Sequence, residues 1–258
     1  MLINVVKRFL PQSIQRRLHD AIYRRLRLTY RLDSNVAIWV ESRTDWLVYN
    51  DIFLNREYDD AIGPLLGRRD SGACVLDLGC NAGFFTLRCL DLLGPDRFKR
   101  DFRWVCVDAS AETLELYKRR VLEGNQLNGQ VDVVQGLVGE RSGSACFYES
   151  TNHGNNTRIT RKLEGGRRYT RNDVRFVDLN LLVPSGAIAL VKCDIEGSEA
   201  EFIANYGALI ERADALVFEF HDGIYDRRDL IEKVRAHGHG HRTLRERPGT
   251  SLEYFFKL

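Results

Sequence analysis

The chain has no CxxC pair among its six cysteines and almost no net charge, with 38 Lys and Arg against 36 Asp and Glu. It also has no apolar run of about 18 residues, the length a membrane-crossing helix needs. Without paired cysteines no short-spaced redox or zinc motif is present. Three of the thiols sit in apolar, strand-like runs, where they behave as small hydrophobes. A reduced, cytoplasmic protein is the expectation. The start MLINVVKRFLPQ, broken by Lys7, Arg8 and Pro11, carries no small-residue cleavage site, so no export signal is expected. The near balance of charge supplies no field that argues for a nucleic-acid partner, and none is expected. Internal repeats and low-complexity tracts are missing as well.

What is present is a chain of 258 residues, 44% hydrophobic, long enough to bury a sizeable core. Residues 1–33 stand apart: Lys7, Arg8, Arg16, Arg17, Arg24, Arg25, Arg27 and Arg31 face only Asp20 and Asp33. Ile14, Leu18, Ile22 and Leu26 recur every fourth residue, which predicts an amphipathic helix with arginines on its other faces. The organisation expected is a basic helical arm over 1–35 and a globular domain over 36–258. The arm fits docking on its own domain, on a second copy or partner, or on an anionic membrane surface as a peripheral contact.

From residue 73 apolar runs alternate with helical patterns: ACVLDLG, FFTLRCLDLL, FRWVCVDA, AETLELYKRRVLEGNQLN and VDVVQGLVG. Val- and Leu-rich strands separated by helices predict a parallel α/β sheet with helices on both faces. The stretch 141–183 breaks that rhythm with a strand, SACFYES, and a polar loop running to Asp173. The acceptor pocket is expected from this irregular segment and the loops at the edge of the sheet. Order returns with AIALVKCD, a helix from about Ser198 to Ile210, ADALVFEF, a helix near Tyr225–His237, and two strands meeting at Pro248-Gly249 as an antiparallel edge.

The first strand leaves the core as VLDLGCNAGFFTL, which places Asp77, Gly79 and Gly83 at a strand-to-helix turn. Ligands of open parallel sheets bind outside the carboxyl ends of the strands, where glycines admit them to the backbone. The pattern is DxGxxxG, with Asn81 where a dinucleotide fingerprint wants its second glycine, and this disfavours a nicotinamide oxidoreductase. The second strand ends at Asp108, a carboxylate suited to two ribose hydroxyls. The other reading of Asp108 is a cap for the helix that begins at Ala111.

These residues resemble a known family. VLDLGCNAGFFTL followed by VCVDAS is similar to the cofactor site of Rossmann-like methyltransferases. LVKCDIEGSEAEFI followed by ALVFEFHDG resembles the FkbM family within them, KCDIEGSE being the more specific motif. The resemblance spans roughly residues 50–258. It implies a Rossmann-like methyltransferase fold with a mostly parallel sheet and an antiparallel C-terminal edge strand. It also implies S-adenosylmethionine as cofactor and methyl transfer to a hydroxyl on a sugar, glycan or other small metabolite. The cofactor residues carried over are Asp77, Gly79, Cys80, Asn81, Gly83, Phe84, Asp108 and Ala109, with Gln135 to Leu137 assigned near the adenine ring by position at the end of the third strand. Asp108-Ala109 stands where many members have Glu-Pro, and the shorter carboxylate still reaches a ribose.

Lys192 and Asp194 are two apart on a strand and share a face, which Glu196 would continue if the chain stayed extended. Asp194 is expected nearest the chemistry. Lys192 either acts directly or only orients Asp194 through an ion pair, and Glu199 reads as helix-start electrostatics. Oxygen methylation needs a base, and His221, at the end of VFEFH, is the candidate, with Asp194 or Glu196 orienting it or the acceptor. Alternatively Asp194, Glu196 and His221 hold a divalent cation. Two weaker features are His237, His239 and His241, whose rings would share a face on a strand as metal ligands do but whose glycines argue instead for a mobile turn before the edge strand, and the loop His153–Thr157, which either folds over a ligand or is an ordinary surface loop.

Overall fold

The structure is a computed structural model that describes residues 21, 22, 25, 28–68, 72–150, 169–183 and 185–258. Most of the basic arm, and the loop 153–157, lie outside the described residues. Leu28–Arg31 (β1), which the sequence assigns to the helical arm, is instead a strand paired antiparallel with Ala37–Val40 (β2). Asn35 closes the turn at φ 67°, a left-handed conformation that Asn tolerates well. Ile38 of β2 is fully buried. The boundary at 35/36 therefore falls inside a hairpin that belongs to the globular domain.

The remaining strands are Ala73–Leu78 (β3), Phe102–Asp108 (β4), Val131–Gln135 (β5), Ser144–Ser150 (β6), Tyr169–Arg175 (β7), Ile188–Cys193 (β8), Ala215–His221 (β9), His239–Arg247 (β10) and Thr250–Lys257 (β11). Seven of them form one sheet in the order β10-β11-β9-β8-β3-β4-β5. β9, β8, β3, β4 and β5 are parallel, and β11 runs antiparallel between β9 and the edge strand β10. The order reverses at β3, which pairs with β4 on one side and β8 on the other. Every residue of β3 and β8 is buried, as a sheet covered on both faces requires. One layer of core packs Val75 and Leu190 against Phe84, Phe85 and Trp104, and the other packs Leu76 and Val191 against Phe202, Tyr206 and Leu230. Among the described residues no helix is long and apolar enough to cross a membrane.

Helix Ala111–Tyr117 starts where Ser110 Oγ accepts the Thr113 N–H, so Ser110, not Asp108, is its cap. Ser110→Ala is expected to lower unfolding stability by about 1 kcal/mol in a denaturant titration. That helix continues only as a π-helical turn, Lys118–Glu123, short of the Asn128 that the periodicity predicts. The wider turn carries Arg120 inward to Asp45, with Nη1 2.8 Å from Oδ1.

Three further expectations fail locally. The helix 198–210 breaks into Glu199–Asn205 and Gly207–Arg212. Tyr206 sinks into the core between them, its hydroxyl donating to Val177 O and accepting the Leu179 N–H. Residues 169–173, read as loop, are strand β7 because they pair with β6. β10 begins at His239 rather than at His241, so His239 lies in the edge strand and not in the turn before it. Their rings serve separate partners, His239 Nε2 at 2.9 Å from Ala213 O and His241 Nε2 at 2.8 Å from Glu253 Oε2.

Candidate active site

The carboxyl ends of β3, β4 and β8 converge at the point where the strand order reverses. Gly79 holds φ 72° there, and a Cβ on it would stand 1.8 Å from the carbonyl oxygen of Asp194. The glycine is therefore required by the chain's own β8 turn. Asn81 takes φ 48°, which explains how it replaces a glycine: Asn enters the left-handed region at modest cost. Its N–H donates to Asp108 Oδ2 at 2.9 Å, and the other carboxylate oxygen accepts the Ser110 N–H at 2.9 Å. Burial pushes the Asp108 carboxyl above its ordinary range, and these two N–H groups only partly counter it.

A cleft opens over this turn, lined by Gly79, Asn81, Asp108, Ala109, Leu137 and Phe147 on one side. Asp194, Ile195, Glu196 and Ser198 complete its wall. A carboxylate beside apolar Ala109, Leu137 and Phe147 suits a nucleoside, with ribose at the acid and the base against the apolar wall. A second cleft lies across the same turn and shares Gly79, Asn81 and Asp194 with the first. Its wall includes Val48, Ile52, Phe84, Lys192, Glu219 and Arg245. It draws on 48–58 and on the C-terminal hairpin at the edge of the sheet.

Asp77 and Lys192 face each other across β3 and β8. Lys192 Nζ is 3.3 Å from Asp77 Oδ1 and 3.9 Å from Asp194 Oδ2, and it donates to Gly79 O at 2.5 Å. Burial opposes its charge, but Asp77 and Asp194 outweigh that and hold the ammonium above its ordinary range. Burial likewise raises the Asp194 carboxyl despite Lys192. Lys192 is thus paired more closely with Asp77 than with the Asp194 expected from sequence.

Glu196 does not continue the strand face. It sits at φ 57° and is followed by Gly197 at φ 106°, so the chain turns back toward β9. The result brings Glu196 Oε2 to 3.4 Å from His221 Nε2. Ligand atoms of Asp194, Glu196 and His221 lie within 4.8 Å of one another, a spacing that fits either a proton-transfer group or a divalent cation.

Of the cofactor residues read from sequence, Gly79, Asn81, Asp108 and Ala109 line the first cleft, and Cys80 and Phe84 line the second. Three are placed differently. Asp77 is fully buried beneath the turn, where Oδ2 accepts the Thr86 hydroxyl. Gly83 admits close helix packing, since a Cβ there would meet Val121 at 2.2 Å. Gln135 is exposed and gives its amide to Ala109 O, and Gly136, Leu137 and Val138 form the wall instead. Sequence reasoning placed Leu137 here by position and missed Phe147 as a lining residue. It also underrated Glu199, whose signal was an acid two residues beyond a tight turn.

The strand order, the reversal at β3 and the glycine turn that ends it define the Rossmann-like, class I methyltransferase fold. Among solved structures the chain is similar to the METTL16 MTase domain. One crystal of it aligns at 11% identity over 89% of this chain and 86% of that chain, with a TM-score of 0.51. A second crystal form aligns at 10% identity over the same shares, with a TM-score of 0.50. The magnesium protoporphyrin IX methyltransferase ChlM from Synechocystis PCC 6803, with bound SAM, aligns at 12% identity over 95% of this chain and 96% of that chain, with a TM-score of 0.47. No protein-family model and no curated protein matches the sequence.

Proposed function

We propose that this chain is a methyltransferase that moves a methyl group from S-adenosylmethionine to a hydroxyl of a sugar, glycan or other small metabolite. The observation that carries the reading is the cleft over Gly79 and Asn81 with Asp108 in its wall, meeting a second cleft at Asp194. Asp108 would hold the ribose hydroxyls, Ala109, Leu137 and Phe147 the adenine, and the backbone at Gly79 and Asn81 the methionine portion. When bound, the cofactor supplies a methyl group already activated by its sulfonium. What remains for the protein is to align a nucleophile and to take its proton.

His221, with Asp194 and Glu196 beside it, offers that proton acceptor. A hydroxyl is the acceptor that most needs one, and the resemblance of residues 191–199 to FkbM proteins supports the same choice. Calorimetry is the test of the cofactor half: one molecule of S-adenosylmethionine bound per folded chain is expected. A folded chain that binds none would be a non-catalytic module. Labelled cofactor incubated with a lysate split into glycans, lipids and small metabolites then reads the acceptor class. Label in protein or nucleic acid alone would contradict the hydroxyl assignment.

A further inference from the structure

Glu199 opens a helix, a place where helix-start electrostatics would account for an acid in solvent. Such a contribution is worth about 0.3–1 kcal/mol and needs no burial. This carboxylate has 0% of its surface exposed, and burying a charge is costly unless hydrogen bonds and a partner hold it. Its bonds reach two separate pieces of chain, and through one of them a third. Oε1 accepts the backbone N–H groups of Ile195 and Gly197, each at 3.1 Å. Oε2 accepts the Tyr225 hydroxyl at 2.8 Å, and that hydroxyl accepts the backbone N–H of His221 at 2.9 Å. The ring of His221 stands between two acids, Nδ1 at 3.7 Å from Glu199 Oε1 and Nε2 at 3.4 Å from Glu196 Oε2.

The two acids differ in their surroundings. Glu196 has a side chain 35% exposed, while that of Glu199 is 0% exposed. A contact with a fixed, desolvated carboxylate is electrostatically the stronger. Contacts of this kind are often long before substrates bind and shorten when they do.

We propose that Glu199 is the positioning residue of this site. Its carboxylate locks the Asp194–Gly197 turn against the ring of His221 and holds Nδ1 as the donor. Nε2 is thereby the ring atom left facing Asp194, Glu196 and an incoming acceptor. The part concerning the acceptor rests on the methyl-transfer reading, and the clamp itself does not.

Long-range proton–nitrogen correlation of the His221 ring, recorded at alkaline pH without cofactor or acceptor, reads the tautomer directly. Nδ1–H is expected in the wild-type chain, with a change toward Nε2–H in Glu199→Gln, which keeps a backbone acceptor but removes the charge. An Nε2–H ring in the wild type, or a tautomer indifferent to Glu199→Gln, overturns the proposal. The wild-type spectrum needs no variant, so a Glu199→Gln chain that misfolds leaves the test intact. Tyr225→Phe keeps the carboxylate and is expected to keep Nδ1–H; loss of that tautomer would assign the role to the hydroxyl and overturn the proposal. In turnover, Glu199→Gln is expected to lower kcat on the order of 100-fold, with cofactor Kd and acceptor KM unchanged. An unchanged kcat overturns the proposal. If the wild type transfers no methyl group at all, the methyl-transfer reading fails while the ring spectrum still decides the clamp.

Discussion

Gly79→Ala is expected to abolish S-adenosylmethionine binding in calorimetry and to lower the melting temperature by several degrees. Two costs combine at this position. A non-glycine residue at φ 72° pays roughly 1–2 kcal/mol for the left-handed backbone. The larger cost is steric, since the new Cβ would lie 1.8 Å from the carbonyl oxygen of Asp194, and a backbone atom cannot swing aside as a side chain can. Relief would require β3 and β8 to part. Asp194 N–H donates to Leu78 O at 3.0 Å and Lys192 Nζ donates to Gly79 O at 2.5 Å, so parting the strands breaks both contacts. The turn that lines both clefts would be displaced, and with it Asn81 and its bond to Asp108.

The comparison variant is Gly83→Ala, also at positive φ, whose Cβ would meet the Val121 side chain. It is expected to cost stability yet retain cofactor binding, because its contact lies on the helix-packing side. Differential scanning calorimetry and cofactor titration of the two variants separate the effects. Wild-type affinity in Gly79→Ala would show that the turn does not form the cofactor site.

The parallel sheet was legible because β3, β4, β8 and β9 are short, Val- and Leu-rich runs between helical periods, a pattern that burial on both faces dictates. DxGxxxG was legible as the turn that ends β3, because its glycines break a strand at a defined place. Its parts were not separable in one dimension. Gly79 and Gly83 look alike in sequence, yet one is forced by the approach of β8 and the other by a neighbouring helix. Lys192 was assigned to Asp194 by alternation along one strand, whereas its shorter contact, to Asp77, runs across strands and depends on register. Glu199 lay beyond reach because its partners, Tyr225 and His221, are brought to it only by the packing of β8 beside β9. The break at Tyr206 was hidden too, since an aromatic at helical spacing gives no sign that its hydroxyl will seek Val177 and Leu179.

His221→Ala is expected to lower turnover by about 10²- to 10⁴-fold, the range for losing a positioned base, while cofactor Kd stays within a few-fold of wild type. The separation follows from position. The residues proposed to hold the nucleoside are on β4 and the segment after β5, whereas His221 ends β9 on the far side of β8. Loss of the imidazole leaves Glu196 and Glu199 without the ring that lies between them, so some of the effect could arise from repulsion displacing the turn. His221→Gln controls for this by keeping a polar group in the gap without a basic nitrogen. Single-turnover assays with labelled cofactor and an acceptor fraction should show both variants slow in transfer and normal in binding. Turnover at the wild-type level in either variant would remove His221 from proton transfer. The nearest remaining groups for that role would then be Asp194 and Glu196, whose positions on the turn after β8 place them in the wall of the first cleft.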